Sequence, residues 1–338
     1  MPEITTIQAR AVTKVIDLAA KAGVEPHRLL RAADLDRDLL KDPEAPISYV
    51  KYVSLYEEAA RLTGDDAFGL HLGETVSLSM YDVIGYATMN APTMAEAMDT
   101  WIRYYRLWSN GSRTTISIDG PVARIKYEVF NIHPSDCRQE CESSQSMTLC
   151  LGESLIGKPW SPIEARFQHA APADTSEHAR VFKAPIRFQQ KTNELIIDRT
   201  LLDHPIPKAD TNLGRVLERH AAQLLEKLPK SDDIVDRVHQ LLTEALRGGD
   251  PGLAAIAKRA GMSPRTLQRK LSEEGTSHQD LLDELRRNLS KKYLQEPEIS
   301  IGETAFLLGF SDPSSFHRAF RRWTGMTPKE FQRKDSRR

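Results

Sequence analysis

Two arginines and a glutamine, Arg265, Gln268 and Arg269, fall within the short stretch GMSPRTLQRKL (261–271). An arginine side chain can make two parallel hydrogen bonds to O6 and N7 of guanine, and a glutamine amide can make two to N6 and N7 of adenine. This chemistry requires a helix that holds the three side chains together on its outer face. The spacing predicts such a helix, because Leu267 and Leu271 turn inward at i and i+4.

The same plan occurs twice in the C-terminal part of the chain. LAAIAKRAGMSPRTLQRKL (253–271) and IGETAFLLGFSDPSSFHRAF (301–320) both place an alanine four residues before a glycine, with a bulky apolar residue afterwards. A helix-turn-helix needs a small residue where its helices cross and a glycine where the turn takes a positive φ. The apolar residue follows the glycine by six positions in the first unit and by seven in the second, so we expect a second turn one residue longer.

In the second unit Phe316 and Phe320 are predicted to face inward, which leaves polar residues outward. Serine and neutral histidine discriminate less between bases than arginine and glutamine do, and Arg318 could equally meet a phosphate. We therefore expect weaker sequence reading from this unit. The candidate base- and phosphate-contacting residues of both units are Arg265, Thr266, Gln268, Arg269, Ser314, His317, Arg318 and Arg321.

The stretch DLLDELRRNLSKKYL (280–294) predicts an amphipathic helix between the two units. About 15 residues at ~1.5 Å each form a rod of about 22 Å. A rod of that scale could hold two recognition helices near the ~34 Å separation of successive major grooves. Its basic residues could bind phosphates or simply face water: Arg286, Arg287, Lys291 and Lys292.

Charge is distributed unevenly, although the net charge of the 338-residue chain is −1. Residues 253–338 carry 17 Lys and Arg against 11 Asp and Glu, a net charge of +6, and residues 1–252 carry 29 against 36, a net charge of −7. A basic C-terminal part indicates a polyanionic partner, with a solvated mixed-charge surface as the alternative.

The first 208 residues predict an α+β fold. Residues 4–108 follow helical spacing, whereas residues 113–130 form two β-rich runs around Asp119-Gly120, a strong hairpin signal. A helix over about 135–156 and three short strand candidates, EARFQHA, IRFQQ and ELIID, complete this part. The fold class is thus an α+β N-terminal domain followed by an all-α C-terminal domain with two helix-turn-helix units joined by a linker helix.

The proline-rich stretch HPIPKAD (204–210) predicts the end of the first domain, which we place at residues 1–208. An amphipathic linker helix then occupies 209–230, and the double helix-turn-helix domain occupies 231–335. The leucine stripe of the linker helix could pair with a second copy of the chain or dock onto its own domain. Its members are Leu213, Leu217, Leu224 and Leu228.

The motifs IAKRAGMSPRTLQRKL and GFSDPSSFHRAFRRWTGMTPKEFQR resemble those of the AraC/XylS family of bacterial transcription regulators, over residues 231–335. The resemblance implies double-stranded DNA as the partner, with base contacts from the outward residues already named. Most of the family activate transcription, which implies RNA polymerase as a further partner.

The first 200 residues are similar to the sensor domain of ornithine- and arginine-responsive members, through GLHLGE, GYATMNAPTMAEAM and FKAPIRFQQKTNELIIDRTLLDHPIP. This similarity implies a small-molecule effector or a homodimer interface, and it identifies no effector. Core packing is the alternative for the aromatic candidates of an effector site, and a surface salt bridge is the alternative for the arginine. These candidates are Tyr81, Trp101, Tyr105, Trp108 and Arg113.

Cofactors, metals and catalysis are not expected. The chain has no Gly-rich phosphate loop, Gly-x-Ser-x-Gly or His-Glu-x-x-His motif. Cys137 and Cys141, with His133 nearby, could approach one metal, but Cys150 lies on another side of the predicted helix and buried thiols explain the pattern better. Three cysteines, no leader-like N-terminus and no run of 18 apolar residues indicate a cytoplasmic protein without a membrane span.

Two rival functions share a DNA-binding module. One is a DNA-repair alkyl-transfer protein, in which a thiolate accepts an alkyl group. Three cysteines cannot build that family's four-cysteine zinc site, and its Pro-Cys-His-Arg motif is absent. The other is an architectural DNA-binding protein without an effector, for which the N-terminal part is too large.

Overall fold

A computed structural model of the protein describes residues 5–130, 132–228, 234–246, 249–274, 276–295, 299–310 and 312–335. The chain divides into two compact units, Met1–Leu228 and Pro229–Arg338. Among the helices within those ranges, none combines the length and the apolar character needed to cross a bilayer.

The first unit is α+β, as predicted. Its helices are α1 (Ala11–Lys21), α2 (Pro26–Ala32), α3 (Tyr49–Thr63), α4 (Phe68–Thr75), α5 (Asp82–Met89), α6 (Met94–Tyr104), α7 (Arg138–Ile156), α8 (Ser176–Phe182) and α9 (Thr211–Lys227). Its strands are β1 (Thr6–Gln8), β2 (Pro46–Ser48), β3 (Ser112–Asp119), β4 (Val122–Val129), β5 (Glu164–Arg166), β6 (Ile186–Arg187) and β7 (Asn193–Asp198).

The predicted hairpin is the start of a five-stranded sheet with the order β3-β4-β7-β5-β6. Strands β3 and β4 are antiparallel, and Asp119 pairs with Val122 across the turn. Gly120 takes a φ of +56° there, a conformation that glycine adopts without strain. The hairpin and the three further strand candidates are therefore confirmed.

A second, two-stranded sheet lies within residues 4–108, where the sequence predicts helices alone. Strands β1 and β2 pair antiparallel, with Ile7 opposite Ile47. Each strand has only three residues. In runs of three residues, the alternation of apolar and polar side chains is too short to distinguish a strand from the end of a helix.

Helices α4 and α7 cross at close range through two glycines of the GLHLG stretch. An added Cβ on Gly69 would lie 2.0 Å from the carbonyl oxygen of Gln139, and one on Gly73 would lie 2.5 Å from that of Ser143. The Gly69 amide donates to Gln139 Oε1 over 2.7 Å. These contacts position the polar side chains of α7 inside the unit.

Helix α9 docks onto the first unit by a face of small residues. Gly214 lies against α5, where an added Cβ would approach the Asn90 carbonyl oxygen to 2.6 Å, and Ala221 is fully buried. Leu213 and Val216 are 46% and 58% exposed. The helix therefore packs on its own unit and still presents apolar side chains outward.

The second unit is all-α and has two hydrophobic clusters. One packs Val238 and Leu242 against Leu267, Leu271 and the first half of the connecting helix, and the other packs Phe316 and Phe320 against its end. Leu289 contacts both clusters, so one helix supports both halves. The helices are α10 (Ile234–Ala245), α11 (Leu253–Arg259), α12 (Pro264–Glu273), α13 (His278–Gln295), α14 (Ile301–Leu307), α15 (Pro313–Thr324) and α16 (Pro328–Asp335).

Helix pairs α11/α12 and α14/α15 have the predicted duplicate plan. Ala257 and Ala305 are fully buried, and Gly261 and Gly309 take φ values of +76° and +69° in the two turns. Helix α12 begins five residues after α11 ends, and α15 begins six residues after α14 ends. The longer second turn is confirmed.

Candidate nucleic-acid interface and ligand pocket

Helix α12 begins at Pro264 after the N-cap residue Ser263, and it presents its polar residues outward. Ser263 Oγ accepts a hydrogen bond from the Thr266 amide over 3.1 Å, and Pro264 occupies the first helical position, where no amide donor is needed. Leu267 and Leu271 are fully buried. The structure leaves three of the predicted contact residues exposed on one face: Arg265, Gln268 and Arg269.

Thr266, the fourth candidate of the first helix-turn-helix, is less accessible than the other three. Its hydroxyl forms a 2.8 Å hydrogen bond with Ser263 Oγ, and the residue is half-buried at the start of the helix. Its position is that of a capping residue beside the exposed face.

Helix α15 repeats this arrangement. Asp312 Oδ1 accepts from the Ser315 amide over 2.8 Å, and Phe316 and Phe320 are fully buried. Three of the predicted contact residues are exposed at i, i+4 and i+7 and therefore share one face. They are Ser314, Arg318 and Arg321.

The histidine of α15 is less accessible than its neighbours. His317 is half-buried and its ring lies 6.2 Å, centroid to centroid, from the ring of Phe316. Arg318 donates to Ser315 Oγ over 3.0 Å, and this hydroxyl in turn donates to Asp312 Oδ2 over 2.7 Å. Arginine is thus the main polar group of this face.

One basic residue of α13 has a structural role that the sequence did not indicate. Arg286 donates from Nε to the Leu308 carbonyl over 2.8 Å and from an Nη atom to the Gly309 carbonyl over 2.9 Å, and its guanidinium lies 4.4 Å from the Phe310 ring centroid. These bonds satisfy carbonyl groups at the end of α14. Arg286 therefore holds the second turn, a structural role that neither alternative from the sequence included.

The structure describes less of the other basic residues of α13. Arg287 is half-buried, and the side chains of Lys291 and Lys292 lie outside the described part of the structure. An ion pair of 2.5 Å between Arg322 and Asp283 attaches α15 to α13. Helices α12 and α15 are thus both fixed to one connecting helix, α12 by apolar packing and α15 by packing and charge.

A pocket in the first unit lies among the sheet, α6, α7 and the turn that follows β7. It contains about 590 Å³ of space free of protein atoms, part of it open to solvent. Helix α6 contributes Met94, Ala97, Met98 and Trp101, at the i, i+3, i+4 and i+7 positions of one helix face. A concave site lined mainly by apolar side chains is the usual form of a small-molecule site.

Of the five effector candidates, Trp101 lines this pocket and the other four do not. Tyr81 packs its ring 4.6 Å from the centroids of both Trp101 and Trp108, which places these residues in a buried aromatic cluster behind the pocket wall. The ring of Tyr105 packs against that of Trp101 at a centroid distance of 5.4 Å, tilted by 41°.

Arg113 lies on β3, away from the lining of the pocket. It forms a 3.2 Å ion pair with Glu128 of β4, and its guanidinium lies 5.2 Å from the ring centroid of Phe130. This is the salt bridge that the sequence left open as an alternative.

The sequence singled out none of the other pocket residues. Leu201 and Leu202 come from a single 3₁₀ turn (Arg199–Asp203), and Trp160 lies flat against Gly152, where an added Cβ would be 2.7 Å from the indole nitrogen. The methionine-rich face of α6 was the one available signal. Its partners come from distant parts of the chain.

A buried carboxyl group occupies the centre of the first unit. Glu140 is 3% exposed, and its Oε1 accepts hydrogen bonds from Tyr127 at 2.5 Å, Tyr49 at 2.9 Å and Ser144 at 3.2 Å. No hydrogen-bond partner for Oε2 is found among the described residues. Burial raises the pKa of Glu140 to about 7.

The cysteines lie in the same region without forming a metal site. Cys137 and Cys141 are buried with their sulfur atoms 3.7 Å apart, and Cys150 is half-buried. Within the described ranges, no three His, Cys, Asp or Glu side chains are arranged to hold a metal ion.

A known family model matches part of each unit. Residues 23–206, more than half of the chain, match the arabinose-binding domain of AraC transcription regulators, an N-terminal domain. Residues 256–334 match a helix-turn-helix domain. The chain belongs to the AraC family. It is a DNA-binding transcription regulator with an arabinose-binding-like N-terminal domain.

Relatives in the AraC family span nearly the whole chain. The ornithine utilization regulator of Pseudomonas aeruginosa is 29% identical over 318 residues, 94% of each chain. The transcriptional regulator VirS of Mycobacterium tuberculosis is 27% identical over 330 residues, 96% of each chain. The crystal structure of the regulator CdpR from P. aeruginosa aligns with 94% of this chain and 98% of its own at 22% identity, with a TM-score of 0.43.

Proposed function

We propose that this AraC-family regulator reads two successive major grooves of its operator with the outward faces of α12 and α15, and that it activates transcription by RNA polymerase. The observation that carries the proposal is the exposure of six of the eight predicted polar side chains, three on each helix, opposite a fully buried apolar face. Arg265 and Arg269 are the strongest base readers, because arginine can bond guanine with two hydrogen bonds.

The connecting helix supports simultaneous binding. Helix α13 has 18 residues, which at ~1.5 Å per residue gives a rod of about 27 Å. Its leucines belong to both hydrophobic clusters, so the two reading helices cannot move independently without breaking core contacts. A rigid spacer of this length is comparable to the ~34 Å repeat of the major groove.

Replacing Arg269 with alanine should weaken binding to the operator by about 5- to 150-fold, which corresponds to about 1–3 kcal/mol, and should relax the preference at one base pair. The loss should be much smaller on a scrambled duplex, because that duplex offers no matching guanine. The operator is first selected with the full chain from random duplexes. Fluorescence anisotropy then gives both dissociation constants at one fixed salt concentration.

Lys270→Ala is the matched control, since it removes one exposed positive charge from the same helix. We expect it to weaken binding to both duplexes alike and to flatten the salt dependence. If Arg269→Ala leaves the ratio of specific to non-specific affinity unchanged, α12 does not read bases through Arg269.

We further propose that a small molecule bound in the first unit controls DNA binding. Helix α6 lines the pocket with one face and contacts α9 with another, where Thr100 Oγ1 donates to Glu218 Oε1 over 3.0 Å. Helix α9 is the last helix before the second unit in the sequence. A ligand that shifts α6 would therefore change the contacts that hold α9 in place.

The exposed apolar side of α9 supports a homodimer. Leu213 and Val216 lie on that side, while Gly214 and Ala221 face the unit. Replacing Val216 with aspartate should dissociate the dimer without unfolding the chain, because the side chain is already 58% exposed. Sedimentation velocity at several protein concentrations measures the change.

Arg215→Asp, at an exposed position about 100° around the helix from Val216 and about 160° from Leu213, is the control for the dimer test and should leave the dimer intact. A wild-type chain that remains monomeric at all concentrations, or a Val216→Asp dimer as stable as the wild type, contradicts an interface on α9.

The cysteines do not favour the alkyl-transfer alternative. A thiolate acceptor needs a lowered pKa and access to its substrate. Burial raises the pKa of Cys150 to about 11, and Cys137 and Cys141 are buried. We therefore propose a regulator without enzymatic activity, and a ligand-dependent change in DNA affinity would separate it from an architectural DNA-binding protein.

A further inference from the structure

The pocket of the first unit has an uncharged wall. The residues that the structure places around it are aliphatic, aromatic, methionine and threonine, together with Gly152, and include no Asp, Glu, Lys, Arg or His. An ionised ligand in such a site would lose its hydration without gaining a counter-charge, which is costly. The composition of the wall therefore selects against zwitterions such as amino acids.

Three of the four polar side chains of the wall already donate their hydrogen bonds within the protein. Thr88 Oγ1 donates to the Ile84 carbonyl and Thr148 Oγ1 to the Ser144 carbonyl, each over 2.8 Å. The indole nitrogen of Trp160 donates to the Leu149 carbonyl over 3.1 Å. These three groups have no spare donor, and they can accept a bond only at the two hydroxyls. Thr114 is the remaining polar side chain of the wall. A sugar, which needs several donors and acceptors around its ring, would leave hydroxyl groups unpaired.

The remaining wall favours apolar contact. Methionines at positions 94, 98 and 147 provide flexible, polarisable side chains that adapt to ligand shape. The rings of Trp101 and Trp160 supply large apolar surfaces on opposite elements, α6 and the segment after α7. Such a site gains affinity from the apolar area that a ligand removes from water.

We propose that this pocket binds an uncharged, predominantly apolar small molecule that carries at most one or two hydrogen-bonding groups. The inference rests on the proposed effector control, and it specifies the chemical class of the effector. It also distinguishes this chain from what the name of the ornithine utilization regulator indicates for that relative, because ornithine carries charged groups at both ends.

A series of three probes with the same eight-carbon chain tests the charge preference: 1-octanol, octanoate and octylamine. Each is titrated into the full-length protein without DNA, and binding is followed by tryptophan fluorescence, to which Trp101 and Trp160 contribute from the pocket wall. We expect saturable binding of 1-octanol and at least about tenfold weaker binding of the two ions. L-ornithine and L-arabinose should give no saturable signal.

Two substitutions locate the binding. Met98→Trp fills the space at a half-buried position and should weaken 1-octanol binding at least about tenfold, whereas Val50→Ala, at an exposed position of α3, should not change it. Thr148→Val replaces a hydroxyl group with a methyl group of similar size, so it should preserve 1-octanol binding even if Met98→Trp fails to fold.

The proposal is overturned if 1-octanol shows no saturable binding, if octanoate or octylamine binds as tightly, or if Thr148→Val abolishes binding. DNA affinity is measured separately, with and without saturating 1-octanol. A protein that binds 1-octanol but keeps an unchanged affinity for its operator contradicts effector control and leaves the ligand class intact. A protein that shows no operator preference without any probe contradicts the proposed reading of DNA.

Discussion

Replacing Phe316 with alanine should lower the free energy of unfolding of the second helix-turn-helix by about 3–5 kcal/mol. Phe316 is fully buried and its ring contacts those of Phe310 and Phe320 at 5.6 Å. Removing it leaves a cavity that α14 and α15 cannot close, because Arg286 and the Arg322–Asp283 ion pair fix both helices to α13. We therefore expect operator affinity to fall together with stability.

Hydrogen exchange measured by mass spectrometry on the full chain separates this effect from the rest of the protein. Peptides from residues 299–335 should lose protection by a factor of about 10² or more, while peptides from the first unit should keep theirs. Phe306→Ala is the matched control, because that phenylalanine of the same unit is 62% exposed. Equal effects of the two substitutions would mean that the second cluster does not hold the helix-turn-helix together.

The C-terminal unit could be predicted from its sequence in detail because its determinants are local. A small residue at the crossing, a glycine at the turn and apolar residues at i and i+4 all act within about 20 residues. The positive φ of Gly261 and Gly309 and the complete burial of Leu267 and Phe316 follow directly from those patterns. Local patterns also fixed the β3–β4 hairpin through Asp119-Gly120.

Features that depend on distant contacts could not be predicted in this way. The position of Arg286 in the helical pattern of α13 does not distinguish it from an arginine that faces water. Its structural role depends on where the carbonyl groups at the end of α14 lie. The pocket likewise needs α6, α7 and the turn after β7 together. The aromatic residues after position 100 mark a buried cluster, and sequence alone does not tell which of them faces the cavity.

Replacing Glu140 with glutamine should remove a pH dependence of stability from the first unit. The pKa of Glu140 is about 7 in the folded protein, because burial disfavours the carboxylate, compared with an ordinary value of 4.5. The folded state therefore holds this proton more tightly than the unfolded state. The resulting stabilisation is complete below pH 4.5 and is lost as the pH rises to 7, which corresponds to about 3 kcal/mol of unfolding free energy.

The hydroxyl donors around Glu140 remain donors throughout this range. Burial raises the pKa of Tyr49 and Tyr127 well above the ordinary value, so both stay protonated. Glutamine keeps an oxygen for these donors and places an amide at the position of Oε2, for which the described residues offer no partner. Burying an amide group without a hydrogen-bond partner costs free energy at every pH. Glu140→Gln should therefore be less stable than the wild type at pH 5.

The difference in unfolding free energy should then shrink or reverse by pH 8, because only the wild type acquires a buried charge. Urea denaturation followed by tryptophan fluorescence at pH 5 and pH 8 measures it, since three of the four tryptophans belong to the first unit. Glu25→Gln, at a side chain that is 74% exposed, should keep the wild-type pH dependence. If Glu140→Gln and the wild type lose stability in parallel between these pH values, Glu140 is already ionised in the folded protein at pH 5 and the tyrosine hydroxyls stabilise its charge.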